Sequence, residues 1–200
     1  MCLRVPRVLP ALCLPALFLA GALGVAAPTD QPASPESLRV STAAYRVPDV
    51  QLVRQDGKAV SLAEEMNDGR PVVLNFIFTS CEAICPMMTQ TFAVFQRKLG
   101  AESAQVHLMS ISIDPEQDTP PRLRDYAGRF RSGPGWNFYT GTTAASVAAQ
   151  KAFNVFRGEK MDHTAVTLMR AAPGAGWQRL DGFATPDDLI KQYHVLVAAK

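Results

Sequence analysis

From residue 45 onward, the apolar positions form runs suited to buried strands and stripes suited to amphipathic helices. The run Pro71-Val72-Val73-Leu74-Asn75-Phe76-Ile77-Phe78 is almost continuously apolar, as in a central strand covered on both faces. From Pro86, the residues Met88, Phe92, Phe95 and Leu99 recur at steps of four, three and four. That spacing lays one apolar stripe along a helix ending near Gly100. Val106 to Ile113 predicts a second strand, and Asp118-Thr119-Pro120 opens a helix carrying Leu123, Tyr126, Ala127 and Phe130 on one face. A short strand at Asn137 to Thr140 and a helix at Ala144 to Phe153 follow. Ala165 to Met169 and Trp177 to Leu180 flank Pro173-Gly174-Ala175-Gly176 as a hairpin. Thr185 caps a last helix, with Pro186 at its first position, Asp187 and Asp188 in its first turn, and Leu189, Tyr193 and Leu196 facing inward.

Ahead of this alternation, Gln51 to Val53 and Ala59 to Ser61 flank Gln55-Asp56-Gly57, where Asp-Gly supplies the positive φ of a tight hairpin turn. Residues 28–44, with Pro28, Pro32 and Pro35 among Ser, Thr and Ala, lack apolar periodicity and read as a flexible tether. Residues 45–200 form the expected folded domain, a layered α/β arrangement with no internal repeat. In residues 1–27, Arg4 and Arg7 precede an uncharged apolar stretch from Val8 to Ala27, the pattern of an export signal. Val25 and Ala27 suit cleavage after Ala27, but the stretch is also near the length that spans a bilayer, so a cleaved signal and a retained anchor both fit. Its even apolarity differs from an amphipathic, Arg- and Ser-rich transit peptide, which points to a bacterial exported protein and the periplasm.

The 48% apolar and 19% charged composition is that of a globular domain rather than a disordered chain. The 20 basic and 18 acidic residues become 18 and 18 once Arg4 and Arg7 are removed, a balance that leaves no nucleic-acid or polybasic membrane footprint. The same cut removes Cys2 and Cys13, so Cys81 and Cys85 are the thiols left to an exported domain. A close pair in an oxidising compartment is a disulfide, a redox couple or a metal site.

Cys81 and Cys85 lie where a buried strand passes into a helix. Pro86 at the first helical position would put Cys85 near the N-cap, where unpaired amides favour a thiolate. Two thiolates suit copper(I), and an added imidazole gives a three-ligand set that also holds copper(II), whereas structural zinc needs a fourth protein ligand. Of the three histidines, His107 falls in a strand, His194 in the last helix, and His163 in Met161-Asp162-His163-Thr164 just before a strand, a position from which loops present ligands. A lone histidine is more often structural than a ligand, and Asp162 is as readily a solvated residue as an imidazole partner. Met87, Met88 and Met161 are soft donors, but Met88 belongs to the apolar stripe and is most economically core.

Phe76-Ile77-Phe78-Thr79-Ser80-Cys81-Glu82-Ala83-Ile84-Cys85-Pro86, then Ser112-Ile113-Asp114-Pro115-Glu116-Gln117-Asp118-Thr119-Pro120, Leu123 to Phe130, Thr140-Gly141 and Asp162-His163-Thr164 stand in the order of the SCO/SenC family, which the chain resembles from Tyr45 to Val197. The resemblance implies a thioredoxin-like fold with an N-terminal hairpin and a central mixed sheet flanked by helices. It also implies one copper ion held by Cys81, Cys85 and His163, for supply to the copper site of a respiratory oxidase subunit. Other periplasmic copper carriers or thiol oxidoreductases are the further partners such a role admits. In the competing readings, Cys81 and Cys85 are the redox-active pair of a thiol-disulfide oxidoreductase that reduces a copper-receiving partner, or their disulfide is a redox sensor. Asp114, Glu116 and Asp118 match the family's acidic loop, for which capping and loop hydrogen bonding is the preferred role. One departure stands out: where many relatives read Cys-Pro-Asp-x-Cys, this chain carries Glu82 and Ala83.

Overall fold

A computed structural model describes residues 38–199; the expected export segment and residues 28–37 of the expected tether lie outside this range. The fold is built on the strand read as central, β4 (Val72–Ile77), in which all six residues are buried. Alternate side chains serve opposite faces, as the two-residue period of a strand requires. Val73 and Ile77 join one core with Phe92, Phe95, Leu108, Tyr126 and Trp136, while Val72, Leu74 and Phe76 join a second with Met109, Tyr139, Phe153 and Trp177.

Strand β5 (His107–Ser112) runs parallel to β4, and β6 (Trp136–Gly141) runs parallel to β5. On the other flank, β7 (Val166–Arg170) lies antiparallel to β4 and turns back into β8 (Trp177–Asp181), the hairpin read from its Pro-Gly turn. The N-terminal hairpin of β2 (Gln51–Arg54) and β3 (Ala59–Ser61) adds to the edge of β6, with Gly57 at φ +87° in its turn. With β1 (Arg39–Ala43), the sheet has eight strands in the order β1-β8-β7-β4-β5-β6-β2-β3.

Helices cover both faces. α2 (Ile84–Leu99) and α3 (Pro120–Arg129) contribute to the first core, as does α5 (Pro186–Ala198) through Leu189 and Tyr193. The second core takes Leu62 and Met66 from the short α1 (Leu62–Met66), and Ala145 and Ala149 from α4 (Thr143–Ala152). This is the thioredoxin-like mixed α/β architecture expected from the sequence, with an N-terminal hairpin and helices on both faces. No helix among the described residues is long and apolar enough to cross a membrane.

Two boundaries differ from the expectation. Residues 39–43 form β1 rather than part of a tether, paired with β8 from Arg39 opposite Asp181 to Ala43 opposite Trp177. Its first four residues are exposed, so the strand is held through its backbone and has no apolar face for sequence patterning to reveal. α2 begins at Ile84, two residues before the expected start, and Cys85 and Pro86 are its second and third residues. Proline is accepted there because the amides of the first helical turn have no intrahelical acceptor to lose.

Candidate metal centre

The backbone leaves β4 at Ile77 and makes a tight turn in which the Cys81 amide donates to the Phe78 carbonyl at 3.2 Å. α2 follows at once. Its N-cap, Ala83, has no side-chain acceptor for the first amides, and the Cys85 amide instead points at the Cys81 sulfur, 3.5 Å away. The sulfur stands where a serine or aspartate oxygen would cap an ordinary helix. Cys81 and Cys85 are both free thiols, the first partly exposed and the second fully buried.

That difference divides their chemistry. Partial burial of Cys81 pushes its thiol up, but hydrogen bonds from the amides of Cys85, Ala83 and Ile84 outweigh it, so the net shift is downward, toward thiolate. Burial dominates at Cys85 and pushes its thiol well above the usual range, with the neighbouring Cys81 acting in the same direction. Cys81 is therefore the more acidic and more accessible sulfur.

The turn carrying the thiols is clamped from the acidic loop between β5 and α3. Asp118, fully buried, accepts hydrogen bonds from the amide and hydroxyl of Thr79 and from the Ser112 hydroxyl, while Arg122 Nε donates to Thr79 Oγ1 at 2.9 Å. Loop hydrogen bonding is thus what Asp118 does, while the first amides of α3 have no side-chain cap, from Asp118 or from the N-cap Thr119. Glu116 accepts a long hydrogen bond from Thr143, and Asp114 is ion-paired with Lys160 at 2.6 Å. Arg122 and Lys160 stand in no motif, and the role of Thr79 within its motif was not legible, because their partners lie 39 to 46 residues away.

His163 sits between a short 3-10 turn at Lys160–Asp162 and β7, and is buried. Its Nε2 lies 2.9 Å from the Phe76 carbonyl oxygen. A carbonyl can only accept, so Nε2 carries the proton and Nδ1 carries the lone pair that a metal would use. Burial pulls His163 below the ordinary imidazole value; the Phe76 carbonyl opposes this and Arg157 reinforces it, so the ring is neutral at pH 7. Asp162 is exposed and does not bond the imidazole, whose protonated nitrogen is satisfied by the backbone of β4 instead.

The other candidates fall elsewhere. His107 is buried at the start of β5, with one ring nitrogen 3.0 Å from the Glu65 carbonyl and the other 2.9 Å from the Tyr139 hydroxyl. His194 is exposed, 3.4 Å from Glu102. Met88 is core, as read from its stripe, while Met87 and Met161 are exposed.

The structure thus brings Cys81 and Cys85 together and places His163 at the same end of β4, lining one groove with Ile84 of the cysteine segment. Among the described residues, no three His, Cys, Asp or Glu side chains stand close enough to hold a metal ion in this arrangement. The donor set is nevertheless chemically suited to copper: two soft sulfurs and an imidazole with its coordinating nitrogen unprotonated.

Comparison with known proteins follows the same lines. The SCO1/SenC family model matches residues 40–198. The SCO1 protein homolog of Bacillus subtilis is 40% identical over 104 residues, 52% of this chain and 53% of its own. The chain thus spans about half the length of that curated relative. Among solved structures, BsSco, described as a member of the Sco family of cytochrome c oxidase assembly proteins with a disulfide switch, is 29% identical with a TM-score of 0.67, over 80% of this chain and 98% of its own. Bradyrhizobium japonicum ScoI with copper bound is 24% identical with a TM-score of 0.60, over 73% of this chain and 96% of its own, a likeness of fold. The family model extends from β1 to the end of α5 and takes in both cysteines and His163, and on that match the chain belongs to the SCO1/SenC family.

Proposed function

We propose that this protein is an exported copper carrier that binds one copper ion through Cys81, Cys85 and His163 and passes it to the copper site of a respiratory oxidase subunit. The observation that carries this reading is the hydrogen bond from His163 Nε2 to the Phe76 carbonyl. It puts the proton on Nε2, which leaves the Nδ1 lone pair of the buried, neutral ring free, and ties the imidazole to the strand that leads into the two thiols. Copper is cargo here, so a site built from a capped, partly exposed thiolate and loops at one sheet end suits exchange better than permanent retention. The apolar stretch after Arg4 and Arg7 supports work in the periplasm, as a released or membrane-anchored domain.

The test is anaerobic copper(I) titration of reduced protein against a competing chelator. Wild type should bind one ion tightly, with Cys81→Ser, Cys85→Ser and His163→Ala each weakening it. Affinity indifferent to His163→Ala would rule out the three-ligand site.

The asymmetry of the thiols supports a second reading, thiol-disulfide exchange. Cys81 thiolate would attack a target disulfide, forming a mixed disulfide and expelling one target thiolate. Cys85, once deprotonated, would then attack Cys81, releasing the second target thiolate and leaving Cys81 and Cys85 joined until a dithiol donor reduces them. This reading requires turnover that depends on both cysteines and survives His163→Ala.

A further inference from the structure

The segment carrying His163 is lightly held. After Phe153 the chain turns through Asn154 at φ +53° and Gly158 at φ +85°, and residues 157–162 are exposed. It does not pack down tightly: a cavity of about 150 Å³ lies beneath it, lined by Ile113, Val147, Gln150 and Val155 and reaching Lys160 and His163. Packing of that kind leaves the segment's position to a few directed contacts.

Beside the bond from His163 Nε2 to the Phe76 carbonyl, Lys160 supplies them. Its Nζ is 2.6 Å from Asp114 Oδ2, and the same ammonium lies 5.6 Å from the centre of the Phe78 ring, three residues before Cys81. Its carbonyl accepts the His163 amide at 3.2 Å. Asp114 is in turn fixed, its amide donating to Ser112 Oγ, which donates to the Asp118 carboxylate that clamps Thr79. A continuous series of hydrogen bonds therefore runs from the His163 backbone through Lys160 to the turn that carries the thiols.

We propose that Lys160 is a positioning residue that holds the His163 segment against the cysteine turn by its ion pair with Asp114 and its seat over Phe78. This rests on the copper-carrier reading for its functional effect. Removing the ammonium lets the segment move over the cavity, so that capturing a metal with His163 must also order the segment.

The experiment compares wild type, Lys160→Met, Lys160→Arg, Asp114→Asn and the Lys160→Met/Asp114→Asn double variant by two readouts. In metal-free protein, amide hydrogen exchange across residues 157–163 should accelerate in Lys160→Met, and Lys160→Arg should restore protection. In anaerobic copper(I) titration, Lys160→Met should weaken binding about tenfold, the lower end for a residue that orients a metal ligand. Lys160→Arg should recover most of that loss, and the double variant should bind no worse than the weaker single variant. The pair is partly exposed, so the thermal midpoint of Lys160→Met should stay close to wild type, separating positioning from folding. Unchanged exchange in Lys160→Met overturns the proposal whatever the titration gives, as does copper affinity equal to wild type. Failure of wild type to bind copper sinks the carrier reading instead, and the exchange data still judge the restraint.

Discussion

At the scale of single residues, Asp118 has the most to lose. Its carboxylate is inaccessible to solvent and takes hydrogen bonds from three donors, two of them on Thr79. Asparagine offers one acceptor oxygen and turns an amide N–H toward a donor, leaving buried groups unsatisfied. Asp118→Asn should therefore cost about 2–3 kcal/mol in urea unfolding. An unchanged midpoint would mean that the clamp contributes nothing net. The acidic loop was legible as a hydrogen-bonding element because Asp and Glu between a strand and a helix act that way in general. Which donors it serves was not legible, since Thr79 and Lys160 reach it only through the tertiary fold. The cysteine pair was visible in sequence from its placement; His163 was favoured over His107 and His194 by its place just before a strand, and family resemblance then named it a ligand. The Phe76 carbonyl that orients its ring has no sequence signature at all.

At the scale of elements, legibility followed burial. The six buried residues of β4 and the apolar stripe of α2 announce themselves, and Thr185-Pro186 marks the start of α5 by local chemistry alone. There the Thr185 hydroxyl accepts from the Asp188 amide while the Asp188 carboxylate accepts from the Thr185 amide. Thr185→Ala should cost about 1 kcal/mol, read as a lower denaturation midpoint with an unchanged slope. β1 was missed because only its backbone is engaged, and the same fact sets its dynamics. Its amides should exchange with deuterium well before those of β4, β5 and β7, whose buried ladders open only with global unfolding. Equal protection across all four strands would contradict this account of an edge held by its backbone alone.

At the scale of the whole molecule, the end of the sheet away from the thiols has its own polar interior. His107 is held below its ordinary value chiefly by burial, with Arg70 acting the same way and Asp68 and Glu65 opposing. The folded state therefore takes up the His107 proton less readily than the unfolded state does. The resulting stability is present above the unfolded value of about 6.5 and is lost as pH falls below it. Urea unfolding at pH 7.5 and 5.5 should show wild type losing stability with acid and His107→Gln losing less; His163, also buried with a lowered value, accounts for part of what remains. The order of the strands has a different consequence. β4 feeds the cysteine turn and β7 follows His163, and these two strands are antiparallel neighbours, one interstrand spacing of about 4.8 Å apart. Chain positions 81 and 163 are thus brought to one end of the sheet by the pairing of β7 with β4. A nascent chain halted just before β7 has made both thiols and the imidazole but not the strand that seats the imidazole beside β4, so full three-donor metal capture would mark a chain in which β7 has closed onto the sheet.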